Sequence, residues 1–388
     1  MIAAVIPTRA RPDAAMHAIR SLRDQDCPIE IFVSDNSATP DHALRDFCRD
    51  AAVHYLRPPR EMLMATHWDW AVREAMERSR ASHFTIHYDR RVTKPRHLGM
   101  VESIAARWPD QLITWSHDYV AGTPPPTRLW QAPWTGKVYA MRSERFVQLT
   151  AAGRAGAIWS HALPLLSNCL VPRNVLTDVI GRFGDLCDST TPDSCFAYRF
   201  FTLRERSLHF DRALGVLHAS QRSAGLGYLR GRGGDFDDFR RLWGDRPWLG
   251  AAPMPGINLG LNMLYHEYET VRRETGTQLP PIDRNAYLDD LARGLPLVPD
   301  AEERAALRRM LMEEGWTGAD RRARMTGFLR HKALAFLDRR LRVRLPGISG
   351  RVVRDDGEAL QHALQHPRPR REHARHLALL DPEEVAAE

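Results

Sequence analysis

Short apolar runs recur through the first hundred residues, each followed by a polar junction and then by apolar positions at helical spacing. "IAAVI" (2–6) contains no polar position, as expected of a strand covered on both faces. After "TRARP", Pro12 and Asp13 open a helix expected to reach about Arg23. "IEIFVS" (29–34) is the next strand. In the "DNSATP" that follows, Thr39, Pro40 and Asp41 offer a cap, a first helical residue and an acid matched to the helix dipole. "VHYL" (53–56), a long helix in "EMLMATHWDWAVREAMERS" and "HFTIHY" (83–88) continue the alternation. This rhythm specifies an α/β fold, a mostly parallel sheet with helices on both faces. Ligands of such sheets bind at the carboxyl ends of the strands. Three polar clusters fall at those ends: Thr8 with Arg9, Asp35 with Asn36, and Asp89 with Arg91.

Beyond about residue 107 the pattern loosens. "QLITWSHDYV" reads as a strand, "GTPPPT" as a loop, and "RLWQAPWTGKVYAMR" as further strands. "NCLVPRNVLTDVIGRFG" is a helix stopped by Gly184, and "TPDSCFAYRFFTLRE" one with Thr191 as cap and Pro192 first. "LRGRGGDFDDF" is expected to be a flexible loop, and a helical part follows to about Leu345. The polar, charged end is expected to be partly disordered. These shifts divide the chain into 1–225 (halves 1–107 and 108–225), a helical extension 226–345 and a tail 346–388.

Composition narrows the class. Of 388 residues 43% are hydrophobic and ten are Trp, which fits a folded chain with a sizeable core. The net charge is +7, yet Lys94, Lys137 and Lys332 are the only lysines. Arginine presents a planar fork suited to phosphate. Acids are interleaved with the basic residues through most of the chain and no nucleic-acid module is recognisable, so nucleic acid is not an expected partner. The five cysteines form an odd set without a CxxC pair and read as reduced thiols of a cytosolic protein. "MIAAVIP" lacks a basic flank, and no segment holds the roughly 18 uncharged apolar residues of a membrane span, so a soluble protein is expected.

The succession "AVIPTRARPD", "IEIFVSDNS", "LRPPREMLMATHWDWAV" and an acid closing the fourth strand resembles the family 2 glycosyltransferases of the GT-A (Rossmann-like) fold. The resemblance runs on through "SNCLVPRNVLTDVIGRFGDLCDSTTPDSCFAYRF" and "LGVLHASQRSAG", covering roughly residues 1–225; the remainder resembles nothing further. It implies an enzyme that moves a sugar, with inversion, from a nucleoside diphosphate sugar to a hydroxyl acceptor, whether a sugar, a lipid-linked sugar or another alcohol. The setting it implies is surface polysaccharide or glycoconjugate synthesis in a bacterial cytoplasm, at or near the inner membrane face. Pro7, Thr8 and Arg9 would hold the donor, Asp35 and Asn36 its base or ribose, and 64–69, with His67, would line the base pocket. Asp35-Asn36-Ser37 equally reads as a turn and helix entry, and Trp68 and Trp70 as core.

The resemblance breaks at the acids that usually bind Mn²⁺ or Mg²⁺ on the diphosphate. Here the string is Asp89-Arg90-Arg91. Asp89 stands alone, and Arg91 would repel a dication yet could steady a leaving diphosphate. Two alternatives stay open: a reaction without metal, or a metal held by Asp89 with His218 or His87 assisting. Asp193, in the first turn of a helix in the acceptor half, matches the family's general base, though a first-turn Asp is also an ordinary dipole partner. Asp185 and Asp188 are weaker alternative acids. Ser220, Arg222 and Ser223 in "HASQRSAG" could wrap the diphosphate or form a plain polar loop. Residues 321–345 carry nine Arg or Lys against Asp338 with apolar positions at helical spacing. They would form a basic amphipathic helix, either packed on the enzyme or lying on an anionic membrane. A nucleotidyltransferase is a rival reading, weakened because "PTRARPD" lacks glycine; a non-enzymatic nucleotide- or nucleic-acid-binding protein is another.

Overall fold

The structure is a computed structural model that describes residues 1–121, 127–158, 162–219, 234–255, 257–276, 278–298, 300–318, 351–354, 356–366 and 370–385. Strands β1 (Ile2–Thr8), β2 (Ile29–Asp35), β3 (His54–Leu56) and β4 (His83–Ile86) pair in parallel in the order β3-β2-β1-β4. All seven residues of β1 are buried, because strands flank both of its edges and helices cover both of its faces. Alternation sorts the side chains. Ala4, Ile6, Ile31 and Val33 pack under α1 (Pro12–Arg23) and α2 (His42–Asp50), while Ala3, Val5, Phe32, Phe84 and Ile86 pack under α3 (Met64–Arg78).

After β4 come β5 (Arg91–Thr93), α4 (His97–Arg107), β6 (Ile113–Ala121), β7 (Arg128–Trp130) and β8 (Val138–Arg142). Next are α5 (Ser143–Ala151), α6 (Ala155–Ile158), β9 (Cys169–Pro172), α7 (Arg173–Phe183), α8 (Pro192–Leu203) and β10 (Arg206–Ala219). Antiparallel β9 joins β4 to β6, which runs parallel to β10. The central sheet is therefore mostly parallel, with antiparallel strands added toward β8. Ten of the twelve residues of α8 are buried, since the helix lies between the sheet side and α10 (Gly260–Glu274). With α11 (Arg284–Gly294) and α12 (Ala301–Glu313), α10 shares an apolar cluster that includes Tyr265, Tyr287, Leu291 and Leu311.

Several elements differ from expectation. The second helix starts at His42, not Pro40, because the Asp41 carboxylate caps it, accepting from Leu44 N at 2.8 Å. The long helix starts at Met64 because Asn36 clamps Met62, donating to its carbonyl (2.8 Å) and accepting from its N–H (2.9 Å). The fourth strand ends at Ile86; the chain turns at Asp89 and returns as β5, antiparallel to β10. Gly215 permits that pairing, since a Cβ there would lie 2.8 Å from the Val92 carbonyl oxygen. "GDFDDF" opens a helix, α9 (Gly234–Trp243), where a loop was expected. The charged tail supplies β11 (Arg351–Val352), α13 (Asp356–Gln365) and β12 (Glu383–Val385), the last paired with β8. Apolar Leu377 and Leu380 are buried between the charged stretches, which explains how so polar a segment is held.

Candidate active site

The parallel register sets the site. Thr8, last in β1, stands beside Asp35, last in β2. On the other side His87 N donates to the Val5 carbonyl (2.8 Å), which carries the chain after β4 to the same rim. There the Thr8 hydroxyl donates to Asp89 Oδ2 at 2.9 Å, and Arg11 Nε lies 3.0 Å from the same oxygen. Asp89 is 3% exposed. The first and third expected clusters thus meet.

A cleft enclosing about 100 Å³ opens over this junction. Its walls include Pro7, Thr8, Arg9, Asn36, His67 and Asp89, six of the residues that the sequence nominates. Met62, Leu63, Met64 and Trp68 give one side an apolar lining. Five further contributors had no role assigned from the sequence. Arg11 and Arg90 bring cations to the rim, Tyr88 forms part of its lining, and α9 supplies Phe239 and Leu242. Glu61 pairs with Arg9 and also with Arg241 of α9 (2.8 Å), tying that helix to the loop after β1. The one local signal for Arg11 and Arg90 was their nearness to strand ends; α9 has none.

Asp35 is fully buried and turned from the cleft. It accepts from Tyr55 OH (2.7 Å), Ser37 N (2.9 Å) and Asp41 N (3.2 Å), with Arg57 at 3.4 Å. Burial would raise its pKa, but the hydrogen bonds from Ser37, Tyr55 and Asp41 outweigh it and hold the carboxyl below its usual range. Asp35 therefore shapes the loop, as its turn reading foresaw, and Asn36 is the member of the pair that reaches the cleft. His67 Nε2 lies 2.7 Å from Ser34 Oγ. Burial, with the charge of Arg9 adding to it, pushes its imidazole down to about 3, so the ring is neutral.

Arg91 requires a correction. Its side chain is 2% exposed and points inward, with Nη2 donating to the Ile86 carbonyl (3.0 Å) and to that of Ser167. Burial pushes its guanidinium down to about 10. The turn after β4 aims the neighbouring Arg90 at the rim instead, where its Nη1 donates to the His218 carbonyl at 2.8 Å. Both guanidinium carbons lie over the Tyr88 ring, at 5.4 Å for Arg90 and 5.5 Å for Arg91.

Asp193 does not cap its own helix. Its Oδ2 accepts from Tyr88 OH and its Oδ1 from Ser167 N at 3.0 Å. Burial raises its pKa, opposed by those hydrogen bonds and by the charge of Arg91. It reaches the cleft only through Tyr88. Asp185 and Asp188 are spent on Arg199, which also holds Glu274. His218 lines a second cavity, of about 720 Å³, on the far side of Asp89 and Arg90. His87 is occupied by Thr93 Oγ1 (2.8 Å) and the Tyr88 carbonyl (2.9 Å).

The donor set around Asp89 does not fit a divalent ion. One carboxylate is already engaged by Thr8 and Arg11, with Arg90 beside it, and a hard dication takes several oxygen ligands. Among the described residues, no group of three or more His, Cys, Asp or Glu side chains could hold a metal ion. Ser220, Arg222, Ser223 and 321–345 lie outside the described residues. The five cysteines are unpaired. No helix among the described residues is long and apolar enough to cross a membrane.

No protein-family model matches the sequence, and no curated protein matches it. Among solved structures, S. aureus TarS 1-349 in complex with UDP-GlcNAc is similar at 13% identity and a TM-score of 0.44, covering 79% of this chain and 83% of that one. TarS 1-349 in complex with UDP gives 12% and 0.42, over 61% and 70% of the two chains. A further TarS structure gives 12% and 0.43, over 77% of this chain and 49% of that one. These likenesses are too distant to transfer the role of any residue.

Proposed function

We propose that the chain is a glycosyltransferase of the family 2 kind, moving a sugar with inversion from a nucleoside diphosphate sugar to a hydroxyl. The observation that carries this reading is the convergence of Arg9, Arg11 and Arg90 on one small cleft at the strand ends. Fixed cations preorganised at that point suit a diphosphate whose charge grows as it leaves. The apolar side formed by Met62, Met64 and Trp68 suits a nucleobase, with Asn36 and His67 at its polar edge.

In this mechanism the guanidinium groups take the place of a dication, so turnover needs no metal. The donor enters as α9 draws back and Arg9 exchanges Glu61 for phosphate. The acceptor oxygen then forms its bond to the anomeric carbon as the bond from that carbon to the diphosphate breaks. The acceptor proton passes to the Tyr88 oxygen while the Tyr88 proton passes to Asp193. Arg91, beneath the Tyr88 ring, steadies the pair electrostatically. Product class (surface polysaccharide or other glycoconjugate) and action at an inner membrane face, with 321–345 on anionic lipid, complete the proposal.

Thermal-shift screening with UDP-, GDP-, dTDP- and CDP-sugars in EDTA, then with Mn²⁺, tests it. One nucleotide series should raise Tm in EDTA by mass action. Failure of all four, with and without metal, sinks the reading.

A further inference from the structure

The second cavity shares Arg11, Asp89 and Arg90 with the nucleotide cleft, so those side chains form a partition between the two. Its volume of about 720 Å³ falls within the usual span of small-molecule sites. Away from the partition the lining turns apolar. Val92 of β5, Val120 of β6, Val216 of β10 and Leu360 of α13 close around it. Val120 and Val216 belong to a buried cluster that α13 completes with Ala359 and Ala363. The charged tail thus returns to the sheet to build one wall of this space. The formal charges of the lining cancel, Arg11 and Arg90 against Asp13 and Asp89. An uncharged guest is therefore matched better than an anion.

We infer that this cavity binds the acceptor, and that the acceptor is an uncharged amphiphile. Its aliphatic or aromatic body lies between Val92, Val216 and Leu360, and its hydroxyl end crosses the Asp89–Arg90 partition toward the donor. The inference rests on the glycosyltransferase reading for the word acceptor, and on the cavity alone for the chemistry of the guest. A free sugar would leave the apolar walls uncovered, and an anionic body would gain nothing from a neutral lining. The alkyl or aryl portion is what the cavity recognises.

The test uses the full chain and two probes, n-octyl β-D-glucopyranoside below its micellar concentration and methyl β-D-glucopyranoside, titrated by calorimetry. Each buried methylene is worth roughly fourfold in affinity, so the octyl probe should bind at least roughly tenfold more tightly. Leu360→Trp and Val92→Trp fill the cavity from two walls and should each remove that gain. Leu360→Ala, which opens it, should weaken the octyl probe by a few fold. Melting curves report whether each variant is folded, and the two tryptophan variants stand on different elements. Equal affinity for the two glucosides, or an octyl gain that survives in both folded tryptophan variants, overturns the inference. Nucleoside diphosphate binding is measured alongside. If it is absent while the octyl preference follows the variants, the glycosyltransferase reading fails and the amphiphile site stands. If it is present and the preference is absent, only the cavity assignment falls.

Discussion

Asp89→Asn separates the two ways of handling a diphosphate at this rim. Asparagine keeps the size of the side chain and an oxygen to accept the Thr8 hydroxyl, now donated at 2.9 Å, so the loss is the charge facing Arg11 at 3.0 Å. Removing one partner of a fully buried ion pair costs about 3–5 kcal/mol. Arg11 is 23% exposed, so water screens it. The expected loss is therefore smaller, about 1–2 kcal/mol. In a chain of 388 residues, with an unfolding entropy of about 2.1 cal/mol/K per residue, that lowers Tm by roughly 1–3 °C. The effect on ligand binding has the opposite sign. Without the carboxylate, Arg11 and Arg90 face the phosphates unopposed. Removing one opposing unit charge near the phosphates, at an effective dielectric near 20 and with solvent screening, is worth on the order of 1 kcal/mol, a gain near fivefold in affinity. Calorimetric titration of the preferred nucleoside diphosphate into wild type and Asp89→Asn, both in EDTA, reads this directly. Tighter binding by the less stable variant is the expected result. If instead Asp89→Asn loses tenfold or more, and Mn²⁺ strengthens wild-type binding alone, Asp89 is a cation ligand and the arginine mechanism is wrong.

Asp193→Asn and Tyr88→Phe should each abolish sugar transfer in a product assay while nucleotide affinity stays near normal; surviving turnover would remove the proton route. Phe239→Ala should tighten nucleoside diphosphate binding in calorimetry, because a 100 Å³ cleft is below the usual size of a ligand site and Phe239 is part of what fills it. Gly215→Ala should destabilise by roughly 1–3 kcal/mol in urea unfolding, since its Cβ meets the Val92 carbonyl at 2.8 Å and β5 must shift. His67 is held neutral with its pKa down at about 3. The unfolded chain takes up that proton below about pH 6.5 and the folded chain does not, so stability falls as pH drops toward 3. Between pH 6.5 and 5 the loss from His67 alone is roughly 2 kcal/mol, and His67→Asn should flatten that part of the stability–pH curve.

The legible part of this site was the part fixed by strand ends. Apolar runs placed Thr8, Asp35 and Asp89 at the carboxyl ends of neighbouring strands, because period and burial determine where a strand stops. What a side chain does once there depends on partners distant in sequence. Asp35 looked like a ligand group, but Tyr55 and Arg57, brought over by β3, consume its carboxylate. Arg91 looked like the diphosphate cation. The strand ended earlier than its alternation suggested, β5 formed, and Arg90 took the outward position while Arg91 was packed beneath Tyr88. A difference of one residue in a turn exchanges inside for outside.

The same reasoning explains why the tail could not be read. Its composition is charged, and charge predicts solvation. Its scattered buried apolar side chains, among them Val353, Ala359, Ala363, Leu377 and Leu380, are enough to dock it, because the sheet already offers apolar surface that needs covering. Burial of a segment is decided by the complement between its scattered apolar positions and a surface built elsewhere, a quantity with no local signature. The cleft depends on that kind of contact twice: α9 closes it over Phe239 and Leu242, and α13 walls the cavity beside it through Leu360. Thr8, Arg9 and Asp89 were therefore found from strand periodicity, while the shape of the space they act in comes from segments whose sequences look like linkers.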